Sequence, residues 1–488
     1  MDILYEQLSD KSLMKTGNFI AGEWLPATDE NTQIPVINPA DGQVVARVFK
    51  ASKQLCEKAI ASAKIAFTDW RNSSPKKRTN VLQAWNALLH QHKRDLALIM
   101  TMEQGKPLGE AEGEIKYAAS YLEYYAEEVK RIKGDILPAP DRSSKIIVAK
   151  EPVGVVGIIT PWNFPVAMFV RKLAPALAAG CTCIVKPDER TPLSALAVME
   201  LGRRAGIPPG VVQMITGDPP EIGACLATHP DVAKLSFTGS TRVGKHLMAL
   251  AASTVKRLSL ELGGNAPFIV FSDADIPAAV EGLIASKFRN TGQTCVCVNR
   301  VFVHEDIHDA FVSILKEKVK ELRIGSGLEG CDVGPMIDEQ AMNKVERLVQ
   351  DACQRGAEVC CGGQRMALGP HYYEPTVLSG VTREMDIFKE EIFGPVVSIT
   401  SFTETEEVIR MANDTPYGLA SYVYSKDASV IWRITEALEY GMVGVNTGSI
   451  STAWAPFGGV KQSGFGREGS AYGMDEYLQL KYINWKTD

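Results

Sequence analysis

The sequence predicts an α/β protein made of two α/β domains and a small β arm. Three observations lead there. Between residues 152 and 270 strand-like apolar runs alternate with helix-like ones, a second alternating region extends from 275 to 445, and two strand-like stretches, 145–150 and 477–485, stand outside both. Alternation of this kind argues for parallel sheets with helices on their faces, the usual home of a nucleotide. The expected division is 1–132 with 151–261 for the first domain, 262–455 for the second, and 133–150 with 456–488 for the arm and C-terminal segment.

Taken in order, residues 18–24 and 35–42 are apolar runs broken by turn formers, which suit short strands and hairpins. From 53 to 70 the positions Leu55, Ala59, Ile60, Ala63, Ala66 and Phe67 recur every three or four residues and form one helix face. Pro75 opens a second helix with Val81, Leu82, Trp85, Leu89, Leu96 and Ile99 inside, and Gly105-Lys106-Pro107 closes it. A third is expected over 109–131. After a Pro-containing break at 134–140, the strand at 145–150 and its distant counterpart at 477–485 are free to pair with each other or with another subunit. An oligomerisation arm, and hence a homo-oligomer (dimer or tetramer), is the expectation. Within 152–270, strands are expected at 153–159, 183–185, 211–215, 234–237 and 266–270, separated by helices at 166–179, 192–205, 220–228 and 242–252.

With 488 residues the chain is too long for one ordinary core, and 45% hydrophobic with 23% charged residues is a soluble globular composition. Its 52 basic and 58 acidic residues leave a net charge of −6, which argues against nucleic acid as a bulk partner. The start, Met1-Asp2-Ile3-Leu4-Tyr5-Glu6, has acids where a secretory signal carries a basic flank, and no apolar stretch reaches the roughly 18 residues of a membrane span. A cytoplasmic protein without membrane contact is therefore expected, with its ten cysteines mostly reduced. The pairs Cys181/Cys183, Cys295/Cys297 and Cys360/Cys361 lack the spacing and histidines of a zinc site, so no metal is expected.

Several short segments carry chemistry. Cys295 lies in the polar, Gly-containing turn Thr291-Gly292-Gln293-Thr294-Cys295-Val296-Cys297 and is the candidate nucleophile. At an unperturbed pKa of about 8.5 a thiol is only a few per cent ionised at neutral pH, so it needs an activating base or turn amides. Glu261, between leucines and followed by Gly263-Gly264, is the best placed acid. Two buried small hydrophobes is the plainer explanation of Cys295 and Cys297. The turn Phe237-Thr238-Gly239-Ser240 after a strand offers helix-start amides to a phosphate, although a tight connection would look the same. Lys186 and Glu189 stand at the end of an earlier strand, where an acid accepts ribose hydroxyls and repels a 2'-phosphate; a surface ion pair is the competing explanation. In Thr160-Pro161-Trp162-Asn163-Phe164-Pro165, a side-chain amide fixed by prolines and aromatics could donate to a developing oxyanion, or simply satisfy backbone. Glu391 and Phe393 sit at a Gly-Pro bend that also reads as a helix end.

Together these segments resemble the aldehyde dehydrogenase superfamily. The resemblance runs through Pro161-Trp162-Asn163-Phe164-Pro165, Lys186-Pro187, Phe237-Thr238-Gly239-Ser240, Glu261-Leu262-Gly263-Gly264, Gly292-Gln293-Thr294-Cys295, Glu391-Ile392-Phe393-Gly394-Pro395 and Pro456-Phe457-Gly458-Gly459, in register from about residue 18 onward. It implies a Rossmann-like NAD(P)-binding domain followed by a catalytic domain. It implies that Cys295 attacks an aldehyde carbon, that Asn163 and the Cys295 amide stabilise the oxygen, and that Glu261 deprotonates the water which hydrolyses the resulting thioester. Thr160, Pro161, Trp162, Lys186, Glu189, Gly239, Ser240, Leu262, Glu391 and Phe393 would hold the cofactor.

Residues 286–300 and 164–172 are similar to the succinate-semialdehyde branch and its glutarate-semialdehyde relative, which implies that Arg171, Arg289 and Ser451 hold a distal carboxylate. A guanidinium fork suits that partner, whereas structural ion pairs are the alternative use of two arginines. Glu189, where many NADP-using members have Ser, favours NAD, with NADP kept open by Arg190. The resemblance also marks Cys297 as a redox partner of Cys295. Two other classes remain in competition: a cofactor-free thiol esterase using Cys295 and Glu261, and a non-catalytic binding protein of the same fold.

Overall fold

The computed structural model describes residues 2–27, 29 and 32–486. Its first sheet has eight strands in the order Gly464–Phe465, Arg257–Glu261, Val232–Thr238, Val155–Ile159, Thr182–Lys186, Val212–Met214, Asn18–Ile20, Glu23–Leu25. The five inner strands from Arg257–Glu261 to Val212–Met214 run parallel, and both edges are antiparallel. The fully buried strand Val155–Ile159 reads as an unbroken apolar run, and Thr182–Lys186 is apolar through its middle, because helices cover both faces. The chain steps outward from Val155–Ile159 in one direction, then returns to place Val232–Thr238 on its other side. That reversal opens a crevice at the carboxyl ends of these two strands, where α/β sheets bind ligands.

The second sheet has seven strands in the order Glu358–Cys361, Thr376–Ser379, Val396–Phe402, Val298–His304, Ala266–Val270, Ala420–Tyr424, Met442–Val445, all parallel except the first. A three-stranded antiparallel arm joins Leu478–Lys486 to Ser144–Pro152 over nine residue pairs, with Asp135–Leu137 at its other edge. The two isolated strands thus do pair with each other. Along the arm Leu480, Tyr482, Trp485 and Ile136 are exposed.

Three expectations change. Ala266–Val270 is a central strand of the second sheet, and the first sheet is completed instead by Arg257–Glu261, a charged-apolar alternation missed in the sequence. The helix opened by Pro75 is two helices, Pro75–Gln91 and Lys93–Gln104, meeting at His92. The third helix ends at Glu128 and continues as a 3-10 turn to Arg131.

Two helices matter most for the site. Pro165–Ala179 has Pro at its first position, where no N–H is needed, and stops at Gly180 with φ +99°. Every residue of it is buried. Its remaining N-terminal amides are satisfied from afar: Glu114 Oε1 accepts from Val166 (2.9 Å) and Ala167 (3.0 Å). Glu114 belongs to the second helix, Leu108–Glu128, and its other oxygen takes the buried Lys106 ammonium at 2.6 Å. Lys106 in turn donates to the Asn163 carbonyl at 2.8 Å, so one carboxylate ties both helices to the turn that carries Asn163.

Candidate active site

Cys295 stands between two cavities and lines both. The turn before it is left-handed at three consecutive residues, Asn290 (φ +51°), Thr291 (φ +59°) and Gly292 (φ +74°). Such a conformation is strained for the first two residues and persists only where surroundings fix it. Here they do. Asn290 N–H donates to Glu110 Oε2 (2.8 Å), its Nδ2 to the Asn163 carbonyl (3.0 Å), and its Oδ1 accepts from Gln104 (2.8 Å). Thr291 Oγ1 donates to the Gly334 carbonyl at 3.0 Å, and Gln293 Oε1 accepts from Ile337 N–H at 2.9 Å. Gly292 is required, because a Cβ there would lie 2.2 Å from the Gly394 carbonyl oxygen.

Burial pushes the Cys295 thiol up to about 12, while Arg171 and Arg289 pull it down. Resting Cys295 is therefore a thiol. Asn163 Nδ2 donates to the Gln293 carbonyl at 2.9 Å, which leaves its second N–H for a ligand. Among the described residues the Cys295 amide donates to no backbone acceptor. Glu261 ends its strand only 2% exposed, and neither carboxylate oxygen has a hydrogen-bond partner. Burial and then the charge of Glu468 hold its carboxyl well above the usual range, against Arg171, Lys172 and Arg467. Its ionised form would raise the Cys295 thiol further, and it lines neither cavity. Cys297 is buried, with its Sγ 3.3 Å from the Val298 carbonyl oxygen, and lines neither cavity either.

The first cavity, about 560 Å³, occupies the crevice of the first sheet. Of the residues expected to hold a cofactor, Pro161, Trp162, Gly239, Ser240, Leu262, Glu391 and Phe393 line it, and Thr160, Lys186 and Glu189 do not. Lys186 Nζ is instead held by Glu189 (3.0 Å) and the Pro187 carbonyl (3.0 Å). Glu391 Oε1 accepts from Gly264 N–H at 3.0 Å, and the Phe393 ring meets Trp162 edge-on at 5.6 Å. Arg190, which in the sequence kept NADP open, lines the cavity, lies 5.1 Å over Trp162 and binds Asp338 from the second half of the chain at 3.1 Å. The buried hydroxyls of Thr160 and Thr238, at the carboxyl ends of the two strands flanking the crevice, have no protein partner. With Ser240 capping the helix Thr241–Ala251, the Thr238 donor, which alone of the two lines the cavity, and the free helix amides fit a phosphate-bearing dinucleotide.

The second cavity, about 320 Å³, is lined by Glu110, Gly113, Glu114 and Tyr117 from one face of Leu108–Glu128, and by Arg171, Arg289, Ser451, Phe164 and Phe457 among others. The two arginines differ. Arg171 is buried, ion-paired with Glu468 and stacked 4.1 Å from the Phe457 ring. Arg289 faces the Phe164 ring at 5.4 Å, its Nε is without a partner, and no carboxylate pairs with it among the described residues. Glu110, Tyr117 and Glu468 were not foreseen; the i, i+3, i+4, i+7 spacing of 110, 113, 114 and 117 was the available signal.

The sequence profile of the aldehyde dehydrogenase family matches residues 24–483. The chain is a member of that family. A mitochondrial succinate-semialdehyde dehydrogenase of Arabidopsis thaliana is 54% identical over 98% of this chain and 90% of its own length. A glutarate-semialdehyde dehydrogenase of Pseudomonas aeruginosa is 51% identical over 98% of this chain and 99% of its own. The crystal structure of succinate-semialdehyde dehydrogenase from Burkholderia pseudomallei superposes with a TM-score of 0.97, at 54% identity, covering 98% of this chain and 100% of that one. The cytoplasmic expectation is overturned: the relatives from Arabidopsis, rice and human are named as mitochondrial proteins. Nothing in the fold or its reduced thiols distinguishes two reducing compartments, so the reasoning had no hold on the question. Among the described residues no helix is long and apolar enough to cross a membrane, and no cluster of three or more His, Cys, Asp or Glu could hold a metal ion.

Proposed function

We propose that this aldehyde dehydrogenase oxidises succinate semialdehyde with NAD, within the NAD(P)-dependent oxidation of semialdehydes through a catalytic cysteine that its family membership supports. One observation carries the substrate reading: Arg289, a guanidinium without an ion-pair partner, lines the same small cavity as the Cys295 sulfur. A half-buried guanidinium facing an aromatic wall, with no ion-pair partner among the described residues, favours an anionic occupant. Ser451 adds a hydroxyl, and the cavity's modest volume suits a short carbon chain. Glutarate semialdehyde, one methylene longer, is the second reading, supported by the Pseudomonas relative.

In this reading Cys295 forms the C–S bond, giving a thiohemiacetal whose oxygen sits near Asn163 Nδ2 and the Cys295 amide. A nicotinamide dinucleotide bound in the first cavity would supply the hydride acceptor that oxidation of the aldehyde carbon requires. Trp162, Gly239, Ser240, Leu262, Glu391 and Phe393 would hold it, and the Glu189 carboxylate, paired with Lys186 at the end of Thr182–Lys186, would favour free ribose hydroxyls over a 2'-phosphate. Glu261, buried and protonated at rest, must swing toward Cys295 and lose its proton to act as base on water. Cys297, engaged with the Val298 carbonyl, would have to turn from it for its sulfur to join Cys295, and closing that disulfide would take an external two-electron oxidant such as peroxide.

Steady-state kinetics with both semialdehydes, each with NAD and NADP, tests the assignment. Higher kcat/KM for succinate semialdehyde with NAD is expected. A preference for uncharged aldehydes of equal length would refute it.

A further inference from the structure

Glu110 is an acidic residue in a cavity read as a carboxylate pocket. On the same helix face Glu114 is fully committed, to Lys106 and to the amides of Val166 and Ala167. Glu110 has only the Asn290 N–H, at 2.8 Å, and no ion pair among the described residues. That amide belongs to the residue next to Arg289, so carboxyl and guanidinium line one 320 Å³ space and are anchored to neighbouring backbone positions. An anionic substrate at Arg289 would then share the cavity with a second carboxylate. Two carboxylates so placed cannot both stay ionised without a large repulsion.

Resting on the acidic-aldehyde reading, we propose that Glu110 is a specificity-determining residue which must hold a proton when the substrate's distal carboxylate occupies the Arg289 pocket, so that anion binding is coupled to uptake of one proton. Below the pH at which Glu110 ionises, the pocket presents the Arg289 cation to substrate and a neutral acid beside it. Above that pH, Glu110 is the anion facing Arg289, and the substrate must displace it by driving a proton back on.

The charged and titratable groups around Glu110 are compatible with such a device. Lys106 favours its ionised form but is paired to Glu114; Arg289 also favours it; Glu114, on the same helix, opposes it. From the loop opposite, Cys331 feels the Glu110 charge, and burial pushes that thiol up to about 11, so it stays neutral in the working range. Burial outweighs the cations and raises Glu110 to about 7. The sign follows: the carboxyl is protonated below about 7 and charged above it, so affinity for an anionic aldehyde falls as pH rises.

The test is the ratio of KM for succinate semialdehyde to KM for butanal, measured from pH 6 to 9. The neutral aldehyde cancels the titrations of Cys295 and Glu261, which act on both substrates. In the wild-type chain the ratio is expected to be flat at low pH and to rise toward tenfold per pH unit above the Glu110 ionisation, the limit for one linked proton. In Glu110→Gln, whose amide oxygen still accepts from Asn290, the ratio is expected to be flat throughout, and in Glu110→Asp the slope should return. A ratio that favours the anionic aldehyde but does not change with pH overturns the proposal and leaves the substrate reading standing. A slope that survives in Glu110→Gln also overturns it. Absence of any preference for the anionic aldehyde at every pH removes the substrate reading itself, and the proposal with it.

Discussion

The two cavities that meet at Cys295 are built by different means. The dinucleotide side is a product of backbone: strand ends at a sheet reversal, a helix start, and bends at Leu262-Gly263 and Phe393. The aldehyde side is a product of side chains projected from distant parts of the chain, one helix face at 110–117, Phe164 to Arg171, Arg289, Ser451 and Phe457. A site made of backbone tolerates little sequence change, whereas one made of side chains can be retuned singly. Substitutions should therefore separate the two: those in the shared thiol abolish everything, and those on either side change one substrate's parameters alone.

The largest effect is expected for Cys295→Ala, which removes the atom common to both. Turnover should fall by at least about 10⁴-fold with any aldehyde and either cofactor, while dinucleotide binding, followed by fluorescence quenching, stays within about threefold. Residual turnover near wild-type would end the covalent mechanism. Next comes Arg289→Ala. Loss of a desolvated charge partner costs roughly 2–4 kcal/mol, about 30- to 1,000-fold in kcat/KM for an acidic aldehyde. The KM for dinucleotide should not move. An equal loss with butanal would mean that Arg289 supports the turn and does not read the substrate.

The same difference explains what was legible in the sequence. Glycine turns at 239 and 292 and the Pro-flanked aromatic turn at 161–165 are local patterns, so the fold class and the candidacy of Cys295 could be read from the sequence. Strand Arg257–Glu261 was missed because a charged residue opens it and Ser259 and Glu261 interrupt its apolar run, although both are buried. Arg171 and Arg289 carry the same chemistry in one dimension. Only folding shows that Glu468, almost three hundred residues beyond Arg171, has already taken that guanidinium while Arg289 stays free. Glu110 was invisible for the same reason: its proximity to Asn290 spans 180 residues of chain.

On the dinucleotide side, Glu189→Ser should raise the NADP-to-NAD ratio of kcat/KM by about tenfold, the effect of removing one like-charge repulsion of roughly 1.4 kcal/mol at a part-exposed site. The KM for aldehyde should be unchanged. An unchanged cofactor ratio would shift attention to Arg190, which already lines the cavity. A comparable tenfold effect is expected from pH on the thiol itself. Because burial holds Cys295 near 12, its alkylation by iodoacetamide in the cofactor-free enzyme should accelerate about tenfold per unit from pH 7 to 9, followed by peptide mass spectrometry. A plateau below pH 8 would show that the thiolate is already formed at rest.

Ser451→Ala should have the smallest effect, and for that reason it discriminates most finely. Ser451 lines the aldehyde cavity with Arg289, but it is half-exposed, so its hydroxyl stands at the weak end for a hydrogen bond to a charged group, at most about 1.5 kcal/mol, roughly 10-fold or less in KM. If the cavity is side-chain built, that loss should be additive with the effect of Glu110→Gln only where the two residues contact different substrate oxygens, and coupled where they share one. The double variant, measured below pH 6.5 and above pH 8, separates these cases: additivity at both pH values places Ser451 on the oxygen remote from Glu110, whereas coupling that appears only at high pH places both on the same oxygen. A KM effect of Ser451→Ala that is equal for butanal would instead make the hydroxyl a packing element of the cavity wall.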